Sequence, residues 1–220
     1  MITTIRDMRI RFRFRNAVRL LILAPALFSC AAVNFVGQSD GLSTGIYRIP
    51  YENETQVWIT NDVDTHKPKN RLDMVGLTSE NHPHRIVAAA SGIVRYIVDG
   101  FNARQNPTSR TCRNNYVWLE HPNGEWTKYS HLQRNSVSDG AKLKVGDQVE
   151  VGAYLGNEGE VGCASGNHLH FEVAIPYNAA DPIILTGGFI KGENRIPRIC
   201  GIRGQTLLKH QTYTAGPCLD

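Results

Sequence analysis

The stretch GNHLHFEV, Gly166 to Val173, sets two of the chain's eight histidines one residue apart among Leu, Phe and Val. In a strand, successive side chains point to opposite faces. His168 and His170 then share one face, and Leu169, Phe171 and Val173 share the other. The apolar face suits a core. The imidazole face suits metal ligation or proton transfer. A hydrolytic zinc site takes three protein ligands and keeps one position open, so further ligands must come from elsewhere. The segment THKPKNRLDMVG supplies His66 and Asp73, the latter among Leu72, Met74 and Val75 as for a carboxylate on a buried strand. His131 follows Lys128-Tyr129-Ser130 at the end of another strand-like run. Each of these residues also has a plainer reading: surface histidines on an edge strand, a turn aspartate, a strand-end histidine in solvent. His82, His84, His121 and His210 read as loop, turn or tail residues.

The elements that must position these groups are mostly short strands. Arg85 to Val98 reads as two strands broken at Ser91-Gly92. Asn115 to Glu120 and Glu125 to His131 read as a hairpin around Asn123-Gly124, a preferred pair for a tight turn. The run LKVGDQVEVGAYLG alternates apolar and polar residues and is punctuated by glycine. Outside the N-terminal leader there is no long amphipathic pattern and no repeat. Many short strands with glycine-rich turns predict a mainly β domain. Residues 31–45, small and polar, read as a flexible tether. From about Gly187 onward the chain reads as loop ending in a cysteine pair.

Charge is concentrated at one end. Six arginines and one acid precede residue 30, and the remaining chain carries 18 basic against 19 acidic residues. That balance removes the electrostatic basis for nucleic-acid binding. The basic head runs into Leu20 to Phe28, an apolar stretch that is too short to span a bilayer and contains Pro25. This is the pattern of an export signal, residues 1–29. Leu27-Phe28-Ser29-Cys30 resembles a lipobox, which makes Cys30 the expected lipidation site and places the protein in the periplasm or cell envelope on a membrane anchor. Ordinary signal cleavage nearby is the alternative. With Cys30 lipidated, four cysteines remain and three pairings are open. The expected pairs are Cys112–Cys163 and Cys200–Cys218. The scattered spacing of the cysteines, without a Cys-x-x-Cys, argues against a zinc knuckle.

Taken together, SGNHLHFEV, YSHL, AAASGIV and VGDQVEVGAYLG resemble the lysostaphin-type (LytM-domain) zinc metallopeptidases, which are cell-wall endopeptidases. The resemblance covers roughly residues 60–175, in the family's order along the chain. It implies a small antiparallel β-sheet forming a groove, with one Zn2+ per chain at its floor. Asp73 and His170 become metal ligands, and His131 and His168 become the catalytic pair flanking a water. The family usually places its first ligand histidine four residues before the aspartate, where this chain has Lys69. His66, seven residues before Asp73, is the expected substitute, with three extra residues looped out. The implied substrate is a peptide bridge or stem of peptidoglycan, and an envelope regulator is a possible partner. The expected organisation is signal peptide 1–29, tether 30–45, zinc metallopeptidase domain 46–186 and C-terminal extension 187–220. Two other functions compete. One is an inactive binding or activator module of the same fold. The other is a biotinyl or lipoyl carrier half-barrel, disfavoured because the hairpin tip Pro122-Asn123-Gly124 offers no lysine.

Overall fold

The computed structural model describes residues 41–77 and 83–219. The expected signal peptide, Cys30, most of the expected tether and His82 lie outside the described residues. Among the described residues, fourteen strands carry the fold. In chain order they are β1 (Leu42–Tyr47), β2 (Gln56–Asn61), β3 (Arg71–Leu77), β4 (Arg85–Val87), β5 (Gly92–Val98), β6 (Arg104–Gln105) and β7 (Tyr116–Glu120). Then come β8 (Trp126–Ser130), β9 (Gln148–Val149), β10 (Tyr154–Asn157), β11 (Gly162–Cys163), β12 (Leu169–Pro176), β13 (Gly192–Ile199) and β14 (Thr212–Thr214). The protein is mainly β, as its short apolar runs predict.

Ten of these strands form one sheet, ordered β14-β2-β3-β12-β8-β7-β5-β9, with β13 also on β12 and β1 on β13. All pairs in it are antiparallel except β1–β13. The predicted hairpin is β7–β8, with Gly124 at φ 80° in its turn. Strand β12 is the centre of the sheet. Its first half pairs with β3, its second half with β13, and its other edge with β8.

Alternation along three adjacent strands separates core from site. Leu72 and Met74 of β3, Tyr129 of β8, and Leu169, Phe171 and Val173 of β12 enter the main core. Arg71 and Asp73, Lys128 and Ser130, and His170 and Glu172 take the opposite face, and all six are buried. Part of that second face is covered by a smaller cluster of Tyr116, Trp118, Trp126, Ala174 and Ile190. The chain around Gly187–Phe189 roofs it, since Lys128 Nζ donates to Gly187 O at 2.9 Å and Trp118 Nε1 to Gly188 O at 2.8 Å.

Two expectations need correction. The end of the predicted tether, residues 42–45, is strand, because β1 finds a parallel partner in β13. The predicted loop after Gly187 contains β13 and β14, which pair with β12, β1 and β2. Polar and charged positions broke the apolar pattern in these segments, yet ladder hydrogen bonds with an existing sheet form regardless of side chain. The C-terminal residues are therefore part of the same sheet and not an appended extension. Disulfides join Cys112 to Cys163 and Cys200 to Cys218, closing separations of 51 and 18 residues. On the chain-entropy model these are worth about 4 and about 3 kcal/mol.

Candidate active site

Sheet register brings the first two groups together. His170 lies directly opposite Asp73 on β3 and opposite Ser130 on β8. Such cross-strand neighbours have Cβ atoms about 4.5–5.5 Å apart. His170 Nδ1 lies 3.2 Å from Asp73 Oδ1. The other carboxylate oxygen is already committed, since Asn61 Nδ2 donates to Oδ2 at 3.0 Å. A register shift between Ile59 and Asn61 sets Asn61 opposite Asp73, the kind of bulge that re-aims a side chain beside a site. Oδ1 is thus the oxygen presented to the cleft.

The loop between β2 and β3 delivers His66. Asp62 organises this loop: its Oδ1 accepts from Asp64 N, Thr65 N and Thr65 Oγ1. Its backbone oxygen accepts from His66 N at 2.9 Å, and Asn70 N closes the loop on Val63 O at 2.8 Å. His66 Nδ1 then donates to Pro68 O at 2.6 Å. A carbonyl only accepts, so the hydrogen sits on Nδ1 and Nε2 is left as the lone-pair nitrogen. That nitrogen lies 3.4 Å from Asp73 Oδ1. The extra residues before Asp73 therefore form a folded loop that returns the histidine to the aspartate. Lys69 points elsewhere, onto exposed Asp64 at 3.3 Å.

His131 and His168 stand beside this trio with their rings 4.6 Å apart. Strand β8 ends one residue earlier than expected, at Ser130, and His131 turns out of it with φ 67°. This left-handed conformation is uncommon for a non-glycine residue. Two bonds hold it: His131 N donates to Asn115 O at 2.9 Å, and Nδ1 to Val161 O at 2.8 Å. His168 is fixed similarly, with Nδ1 on Gly166 O at 2.9 Å and Nε2 3.7 Å from Asp73 Oδ1. In both rings Nδ1 carries the hydrogen and Nε2 is available to accept a proton.

Electrostatics divide the groups by role. Burial opposes charge on Asp73, but the facing His170 and His66 rings outweigh it and hold the carboxyl well below the usual range. Burial also opposes charge on His170, yet Asp73 and Glu172 prevail and raise its pKa. His131 is pushed well below the usual histidine value by burial and then by His168 and His170. His168 is lowered as well, by burial, against the pull of Asp73. Burial thus favours the neutral form of His131 and His168, whereas Asp73 is held ionised.

His66 Nε2, one Asp73 oxygen and His170 Nδ1 make a set of three donor atoms lying within 4.8 Å of one another. Donors held about 3.3 Å apart match the edge of a tetrahedron with metal bonds of about 2.0–2.1 Å. The observed 3.4 and 3.2 Å separations fit that edge. Two nitrogens and one carboxylate oxygen are also a donor set suited to zinc. The cleft in front of them measures about 340 Å³. Asn61, Lys67, Pro68, Pro107, Asn114 and the Cys112–Cys163 bridge line it.

The family model for peptidase family M23 matches residues 75–182. The chain carries an M23 peptidase domain. His131, His168 and His170 fall inside the match, and His66 and Asp73 stand just before it. Over 117 residues the chain is 29% identical to the peptidoglycan DD-endopeptidase ShyC of Vibrio cholerae, covering 53% of this chain and 22% of that protein. Over 107 residues it is 30% identical to an uncharacterized metalloprotease of Buchnera aphidicola, covering 48% of this chain and 27% of that protein. The matched part is thus about a quarter of each curated relative. A solved zinc-containing peptidase from Vibrio cholerae aligns at 21% identity over 57% of this chain and 37% of that one, with a TM-score of 0.38.

Sequence reasoning passed over the groups beneath the M23 site. Glu172, Lys128 and Arg71 form a buried charge cluster, with Arg71 Nε 2.6 Å and Lys128 Nζ 3.4 Å from the Glu172 carboxylate. Burial drags Lys128 down to about 8 against the support of Glu172. The signal for Glu172 was present, because it continues the alternation of His168 and His170. Phe189, from the segment read as loop, sets its ring edge-on 5.8 Å from His170. His121, by contrast, fits its plain reading: buried, with its two ring nitrogens on Ser91 O and Thr127 Oγ1.

Proposed function

We propose that this protein is a zinc-dependent endopeptidase that hydrolyses peptide bonds in peptidoglycan. One observation carries the reading: His66 Nε2 and His170 Nδ1 converge on a single oxygen of Asp73, next to two neutral imidazoles with free Nε2 atoms. His66, Asp73 and His170 would hold the metal. When bound, zinc supplies a Lewis acid that polarises a carbonyl and makes a water acidic near neutral pH.

The chain's own residues account for the remaining requirements. A general base must be unprotonated and within reach of the proton it takes. His168 and His131 meet the first condition through burial, and their anchored Nδ1–H groups aim Nε2 into the cleft. The proton accepted on one of these nitrogens is then available to the departing amine. Once protonated, that same ring is also the donor that can stabilise the oxyanion. The peptidoglycan target rests on the M23 domain and on the named activity of the Vibrio relative. The N-terminal basic and apolar segment supports export, and Cys30 supports an envelope anchor.

The test is direct. The purified chain is reconstituted with zinc and incubated with peptidoglycan sacculi, and released peptides are separated by chromatography. Hydrolysis is expected with one zinc per chain and is abolished by chelation. A chain that binds zinc yet releases nothing is the non-catalytic module. A chain that takes up no metal is not a hydrolase of this kind.

A further inference from the structure

Behind the site, two buried polar atoms face each other without a hydrogen-bond partner. They are His170 Nε2 and Glu172 Oε1, 3.8 Å apart. Both residues are almost fully enclosed, so neither atom is satisfied by bulk solvent. Everything else about Glu172 is fixed. Its Oε2 accepts from Arg71 Nε at 2.6 Å and from Asn194 Nδ2 at 2.9 Å. Its Oε1 is left toward His170, with Lys128 Nζ 3.4 Å away. Lys128 is itself held by Gly187 O and stacked on Phe189. Alternation along β12 explains the juxtaposition, because residues 170 and 172 share a face.

We infer that Glu172 is a positioning residue for His170, taking its Nε2–H and thereby turning Nδ1 and its lone pair toward Asp73 and the metal. A metal-bound histidine gives its second nitrogen to an outer partner, which fixes tautomer and ring angle and raises ligand basicity. A hydrogen bond needs the 3.8 Å gap to shorten by about 1 Å, a movement assigned to the His170 ring because Arg71 and Asn194 hold the carboxylate. Arg71, Asn194 and Lys128 keep the carboxylate ionised and in place. The inference rests on the metal-site reading above, and it assigns a role that the ligand set alone does not.

The experiment compares the full chain with Glu172→Gln and with Glu193→Gln, a control carboxylate on β13. Zinc affinity is measured by competition with a chromophoric chelator. The His170 ring is followed by long-range proton–nitrogen NMR on histidine-labelled protein. In the wild type the Nε2–H tautomer is expected, with a downfield Hε2 signal. Glu172→Gln is expected to move that signal upfield and to weaken zinc binding by about 10–100-fold, while Glu193→Gln changes neither. A Glu172→Gln protein that loses thermal stability but keeps wild-type zinc affinity and the same Hε2 signal overturns the inference. If that variant does not fold, the Lys128→Met/Glu172→Gln double variant removes the uncompensated cation, and the same two readouts decide. A wild type that binds no zinc defeats the proposed function alone. The Hε2 signal of the metal-free protein, sensitive or insensitive to Glu172→Gln, then still upholds or overturns the Glu172–His170 contact.

Discussion

The floor of the cleft and its wall are built on different principles. The floor is sheet: Asp73, His170 and Glu172 sit on neighbouring strands, buried, with positions set by ladder register. The wall that carries His66 is a nine-residue loop, 62–70, tied to itself through Asp62 and exposed at most of its positions. A strand residue cannot move without its neighbours, whereas a loop residue is held by the few bonds of its own turn. The floor therefore determines whether a site exists, and the wall tunes how well it closes. The different spacing before Asp73 illustrates the point. Lengthening a surface loop costs little, so the extra residues are absorbed there while the floor stays in register.

The comparison is broken most severely by His170→Ala. The change takes a proposed donor from the floor and leaves Asp73 Oδ1 faced only by His66 and His168. Metal analysis after dialysis is expected to find no stoichiometric zinc, and peptide release falls to background. Retained zinc at wild-type occupancy would move the metal off the sheet. Next is His168→Ala, which takes one of the two proposed bases and spares the three proposed donors. Zinc content is expected to stay at the wild-type level while turnover drops by about 10²–10⁴-fold, the usual worth of a general base. Loss of the metal in that variant would make His168 a ligand.

On the wall the effects shrink. His66→Ala is expected to weaken zinc binding with only a small change in the melting temperature of the metal-free protein, since Asp62 carries most of the loop's bonds and the ring adds one, to Pro68 O. Lys69→Ala, one residue of an exposed pair, is expected to alter stability by less than about 0.5 kcal/mol and zinc affinity not at all. A zinc titration with the reverse order would place the first ligand elsewhere.

The smallest change sharpens the account of the floor. At the far end of β3, Gly76 N donates to Glu158, a carboxylate that burial raises from the ordinary 4.5 to about 7. A raised pKa means that its stabilising contribution is complete below pH 4.5 and is lost as pH climbs through about 7. Asp73 and Glu172, which are lowered, act in the opposite sense and only at more acidic pH. His131 and His168, both lowered by burial, also make stability depend on pH, so the informative quantity is the difference between wild type and Glu158→Gln. Melting curves are expected to show Glu158→Gln gaining on the wild type by up to about 3 kcal/mol between pH 4.5 and 8. A pH-independent difference would mean that Glu158 is ionised throughout.

Much of the floor was legible in the chain. The alternation of His168-Leu169-His170-Phe171 fixed which side chains share a face, because strand geometry has a period of two. The Asn123-Gly124 pair located the central hairpin, because few residue pairs adopt its backbone. Both disulfide pairings were open to expectation but not to proof, since spacing does not report proximity. The same alternation reached Glu172, whose charge drew no attention because one carboxylate among many has no meaning without its partners.

Composition, period and turn chemistry are local, and they alone determined a β domain with an imidazole face on one strand. What only the tertiary structure decided is which distant groups meet. The β3–β12 register set Asp73 against His170, the Asp62-centred loop returned His66 to that carboxylate, and β13 and β14 entered the sheet from a segment with no apolar pattern. Those outcomes depend on backbone hydrogen bonds and on charges paired across a hundred residues, quantities that no short window of sequence contains.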